Sequence, residues 1–119
     1  MSEPPDDQAL ADRYFVKAGA GAARELFPGV AIRASAGEAM MLSVVTFEAG
    51  SSVPEHAHPH EQMGLLLSGR AEFTVGGVTR VLEPGDIWRI PGHVPHRVRA
   101  IQGPAVALDV FHPVREDYR

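Results

Sequence analysis

The sequence predicts an all-β barrel or sandwich, and three features lead to that reading. From Tyr14 onward glycine and proline punctuate the chain, at Phe27-Pro28-Gly29, Ala36-Gly37, Ala49-Gly50, Ser68-Gly69, Gly76-Gly77, Pro84-Gly85, Pro91-Gly92 and Gly103-Pro104. The runs between these signals are short and rich in Val, Ile and Leu, and turn signals spaced about 8–12 residues apart belong to sandwiches and barrels. Several runs also carry apolar residues at both parities, so both faces of those strands need cover.

In chain order, residues 1–12 read as a flexible tail and 13–119 as a single domain. Ala9–Ala23 has room for a helical turn, but Gly19 and Gly21 oppose a long helix. Strands are expected at Met40–Phe47, Gly64–Leu67, Ala71–Val75, Val78–Leu82, Ile87–Ile90, His96–Ile101 and Ala105–Phe111. Gly76-Gly77 suits a hairpin, because glycine accepts the positive φ that tight hairpins require. In the last strand Val106, Leu108 and Val110 share the face that wants packing. Ala105, Ala107, Asp109 and Phe111 share the other, with small residues leaving room for a cavity. Gln62, Gly64 and Leu66 likewise oppose Met63, Leu65 and Leu67, whose cover is either the N-terminal strands or a second copy. A homodimer is the simpler expectation.

The 119 residues suffice for one core without staples, and there is no cysteine. Disulfides and thiolate metal sites are therefore excluded, and a cytoplasmic location is expected. The acidic, polar start does not read as a signal peptide, and no apolar run approaches membrane length. A net charge of −4 argues against nucleic acid as a partner.

All six histidines fall between positions 56 and 112. His56 and His58 stand two apart on an extended segment, so their side chains project to one face. At roughly 3.3 Å per residue both imidazoles reach one metal at about 2.0–2.1 Å. Gln62 follows four residues on, and His96 lies beyond a turn as the fourth candidate ligand. His60 shares the parity of the pair, but Pro59 interrupts the strand, so His60 is assigned to the cavity rather than to the metal. His93 and His112 read as turn residues and Trp88 as packing; Arg97 and Arg99 alternate with His96 and should point outward.

The spacing resembles the cupin family. Its first motif runs Gly, five residues, His-x-His, three or four residues, Glu, six residues, Gly; Gly50, His56, His58 and Gly69 match, with Gln62 where Glu is usual. Its second runs Gly, five residues, Pro-x-Gly, two residues, His, three residues, Asn; Gly85, Pro91 and His96 match, while His93 replaces the inner Gly and Ala100 the Asn. Fifteen residues, Arg70 to Pro84, separate the motifs. The resemblance implies a jelly-roll cupin barrel. Pro59–Gln62, Gly69–Val75 and Leu108–Tyr118 are also similar to the pectin-degradation cupins, which linearise 4,5-unsaturated uronates. That likeness implies functional roles for Asp109, Phe111 and Arg115.

The expected site is one divalent transition metal on His56, His58, Gln62 and His96, with zinc, nickel, iron, manganese or copper all admissible. An amide in place of the usual carboxylate leaves the charge of the ion whole and favours an anionic substrate. Asp109 is the candidate for proton transfer, against a purely structural carboxylate. Phe111, Arg115 and His60 are candidates for contacting substrate, Arg115 through a fork that grips a carboxylate. The leading function is a metal-assisted enzyme acting on a small anionic sugar or keto acid. A ligand-binding or sensing cupin without catalysis and a metal-dependent dioxygenase stay open.

Overall fold

The computed structural model of the protein describes residues 6–20 and 23–119. A short helix, α1 (Asp7–Tyr14), precedes eight strands: β1 (Arg24–Phe27), β2 (Val30–Ala36), β3 (Met41–Phe47), β4 (Ser52–His56), β5 (Glu61–Val75), β6 (Val78–Leu82), β7 (Ile87–Ile90) and β8 (His96–His112). Asp6 caps α1 by accepting from the Ala9 N–H, and the helix buries none of its residues. The first five positions of the expected tail lie outside the described residues, and from Asp7 the chain is helical.

Every observed strand pairing is antiparallel, in the order β1-β2-β3-β8-β5-β6, with β4 on β8 and β7 on β5. Two expectations change here. Gly64–Leu67 and Ala71–Val75 are one strand, and so are His96–Ile101 and Ala105–Phe111. The turn signals between them are irregularities instead of ends. The β5–β8 ladder shifts register between Leu66 and Ser68 and again between Ser68 and Arg70. Bulges of this kind bend a strand without ending its pairing. Gly69 makes the bend possible: its φ is +82°, and a Cβ there would lie 2.3 Å from the Pro104 carbonyl oxygen. The bent β5–β8 pair thus serves both layers of the barrel, with β3 and β7 flanking one half and β4 and β6 the other.

The inward face holds the core. Val30, Ile32, Val45, Phe47, Leu66, Phe73, Trp88 and Ile90 form one buried cluster, each aliphatic or aromatic side chain contributing about 1.5–3 kcal/mol. Phe73 and Trp88 stack at 4.3 Å between ring centroids. A smaller cluster, Met41, Phe111 and Val114, has Ala34 and Tyr118 packed against it. The parities read from the sequence hold: Ala105, Ala107, Asp109 and Phe111 are buried, while Val106, Leu108 and Val110 are half-buried on the outside.

Candidate metal centre and cavity

His56 ends β4, His96 begins β8, and the two are register partners across that ladder. His58 lies in the connection to β5, where its carbonyl accepts from the His93 N–H at 2.7 Å. His93 holds a φ of +68°. That is the left-handed region where glycine is most at ease, and the family's motif has glycine at this position. His56, His58 and His96 thereby come together, one ring nitrogen from each lying within 4.8 Å of the others, and this cluster could hold a metal ion.

Their hydrogen bonds select the tautomer a metal needs. Nδ1 of His56 lies 2.9 Å from the Pro54 carbonyl, that of His58 3.1 Å from the His60 carbonyl, and that of His96 2.8 Å from the Val94 carbonyl. A carbonyl only accepts, so each Nδ1 donates and each Nε2 is left with a lone pair. His96 Nε2 is buried without any partner. His58 Nε2 faces Gln62 Oε1 at 3.0 Å, with the Gln62 amide N–H directed to Asp109 at 2.9 Å. Two acceptors held together in a buried site are unfavourable unless a cation lies between or beside them. Burial pushes the His58 imidazole below its ordinary range and the His96 imidazole down to about 4, with neighbouring positive groups adding to both effects. Both rings are therefore neutral near pH 7, as ligation requires. The residues present fit a divalent metal.

Asp109 stands behind this cluster on β8. Its Oδ1 accepts from Gln62 Nε2 at 2.9 Å and from Trp88 Nε1 at 2.8 Å. Burial raises its carboxyl to about 6, and these two donors with Arg115 only partly oppose the rise. Trp88, assigned to packing on sequence, is thus a polar partner of the site as well as a core residue. Gly64 permits it, since a Cβ there would lie 2.1 to 2.3 Å from three atoms of the indole. The sequence carried one usable signal, a glycine in mid-strand, which marks a close approach.

His56, His96, Gln62, Asp109, Phe111 and Arg115 line one cavity of about 50 Å³. His60 sits beside this group: its ring lies 5.4 Å from that of His58, and its Nδ1 is buried without a partner. Arg99 is exposed, as its parity implies. Arg97 is exposed too but also borders the cavity, and His112, expected in a turn, is instead the last residue of β8, where the ladder pairs it with Glu61.

Residues 43–111 match the cupin domain family. The chain belongs to that family. Among proteins similar to this cupin is the dimethylsulfoniopropionate lyase DddQ of Ruegeria pomeroyi, 39% identical over 75 residues. That match covers 61% of this chain but only 37% of the lyase. KdgF from Halomonas sp. superposes with a TM-score of 0.82 at 28% identity, over 88% of this chain and 97% of that one. An RmlC-like cupin from Shewanella frigidimarina gives 0.83 at 26% identity, over 89% and 96%. No helix among the described residues is long and apolar enough to cross a membrane.

Proposed function

We propose that this cupin is a metal-dependent enzyme that moves a proton on a small carboxylate-bearing sugar or keto acid, with linearisation of a 4,5-unsaturated uronate as the best-fitting reaction. The observation that carries the reading is Asp109, a buried carboxyl with one oxygen held by two donors, in the same cavity as two histidines and Arg115. His56, His58 and His96, with Gln62 through its amide oxygen, would hold one divalent transition metal. When bound, that ion supplies Lewis acidity toward a substrate carboxylate or carbonyl oxygen.

The remaining work falls to the chain. Linearising the unsaturated ring opens a hemiacetal to an aldehyde and converts the resulting enol to a ketone. One proton leaves a hydroxyl and one arrives at the former alkene carbon, with no net change. A carboxyl at about 6 is mostly ionised near neutrality yet easily protonated, so Asp109 can accept the first proton and deliver the second. Arg115 offers its fork to the carboxylate, Phe111 shapes the pocket floor, and His60 borders the ligand set. The outer sheet face supports a homodimer: Leu42, Met63, Leu67 and Ile87 are 45%, 43%, 47% and 61% exposed.

The test is a screen of unsaturated uronates with metal-loaded protein, following loss of the ring alkene absorbance. Asp109→Asn should keep metal and ligand and lose turnover. Ligand binding without turnover in the unmodified protein would favour the non-catalytic class. The segment shared with DddQ favours one second reading, cleavage of dimethylsulfoniopropionate, also a carboxylate that would need a proton moved at carbon. Release of dimethyl sulfide distinguishes it. Gln62, standing where a carboxylate ligand is usual, speaks against the dioxygenase class, and oxygen uptake with phenolics or diketones tests it.

A further inference from the structure

The fork proposed to read a substrate carboxylate already holds one. Arg115 donates from Nη2 to Asp117 Oδ2 at 2.8 Å and from Nε to Asp117 Oδ1 at 3.3 Å. The Arg115 side chain is only 11% exposed, packed with its guanidinium 3.9 Å from the Tyr118 ring centroid and 5.2 Å from that of Phe111. Asp117 is different: its side chain is 59% exposed, on a single 3-10 turn, Glu116–Tyr118, that buries no residue. Tyr118 meets Phe111 edge-on at 5.7 Å, and Arg24 of β1 donates to the Asp117 carbonyl at 2.6 Å. The C-terminal turn therefore walls the cavity at Arg115 and Tyr118.

The small volume of this space has consequences for entry. A cavity of about 50 Å³ accommodates about one or two waters. Small-molecule sites usually measure about 300 Å³ or more. A wall has to move for a sugar acid to enter, and the turn is a short wall that buries no residue. We propose that Asp117 is an internal competitor for the Arg115 fork, which keeps the cavity small in the empty protein and sets its affinity and selectivity for carboxylates. The inference rests on the reading that the site takes a carboxylate. A carboxylate ligand exchanges with Asp117 on Arg115 and releases the turn, whereas a neutral sugar has no means of doing so.

The experiment uses the full, metal-loaded chain and galacturonate as probe, followed by fluorescence of Trp88, the single tryptophan. Asp117→Ala should bind galacturonate about two- to five-fold more tightly, the range that a solvent-exposed ion pair is worth. Glu116→Ala controls for the loss of a negative charge, because its carboxylate pairs with Arg119, and it should change little. In an Arg115→Gln background the Asp117→Ala gain should vanish. Independently of any ligand, Asp117→Ala should speed hydrogen exchange of the Tyr118 amide, which donates to the Arg115 carbonyl. Weaker or unchanged binding in Asp117→Ala, with the unmodified protein binding, overturns the competitor role alone. Failure of every variant and of the unmodified protein to bind galacturonate overturns the carboxylate reading, and this inference with it.

Discussion

Removing a single N–H should retune the proposed catalytic carboxyl. Trp88→Phe keeps an aromatic ring against Phe73 but deletes the donor that now lies 2.8 Å from Asp109 Oδ1. Gln62 is then the remaining side-chain donor to that buried carboxyl. A hydrogen bond to a charged group is worth about 1.5–3 kcal/mol, and 1.36 kcal/mol corresponds to about one pH unit. The lost donor favoured the ionised form, so the Asp109 midpoint should rise by about one to two pH units above its present value near 6. At pH 7 the ionised fraction, and with it turnover, should fall about two- to ten-fold, with recovery at higher pH. Stability follows the same sign. A carboxyl raised on folding stabilises the protein while protonated and loses that contribution as pH rises through the folded midpoint. Trp88→Phe should therefore lose stability above about pH 6, where that contribution of the unmodified protein is already spent. Gly64→Ala should reach the same result sterically, because a contact of 2.1 Å must open to about 3.5–4 Å and carry the indole off the carboxyl. Carbon-13 titration of the Asp109 carboxyl in metal-loaded protein measures the midpoint without needing a substrate. A midpoint that is unmoved or lowered in Trp88→Phe would refute the reasoning.

Elemental analysis should find close to one transition metal per chain, lost in the His56→Ala/His58→Ala double variant; full retention there would remove the site. Gln62→Glu should keep the metal while kcat/KM for an anionic substrate falls, through KM at least, since a carboxylate removes one unit of positive charge from the centre. Unchanged turnover in Gln62→Glu would show that ligand neutrality does not set the chemistry. Light scattering should find a dimer, and Met63→Glu should dissociate it; a monomer at micromolar concentration would show that the exposed face needs no partner.

Much of the site was legible because its determinants are local. The His56 and His58 pairing follows from strand periodicity, and the spacing to Gln62 and His96 carries the family's motif. The inward parity of Asp109 and Phe111 is also a period-two property of one short run, and the structure places both on the buried face. Strand continuity was less legible. Gly69 and the Gln102-Gly103 step look like turns, because the residues that tolerate a bulge also favour a turn, and only the partner ladder decides between them.

By itself the sequence determined an all-β domain, its inward faces and a nitrogen- and oxygen-donor set spaced for one metal, all consequences of backbone periodicity and residue chemistry. The tertiary structure decided what surrounds that set. Trp88 reaches Asp109 only because β7 and β8 both pair with β5 in a register that lays the indole across Gly64. Asp117 reaches Arg115 from only two residues away, but the turn that carries the pair is set beside the cavity by Arg24 and by the packing of Tyr118 on Phe111. Burial and donor count at a carboxyl, and the placement of a guanidinium at a cavity wall, depend on atoms from distant strands, and no local pattern encodes them.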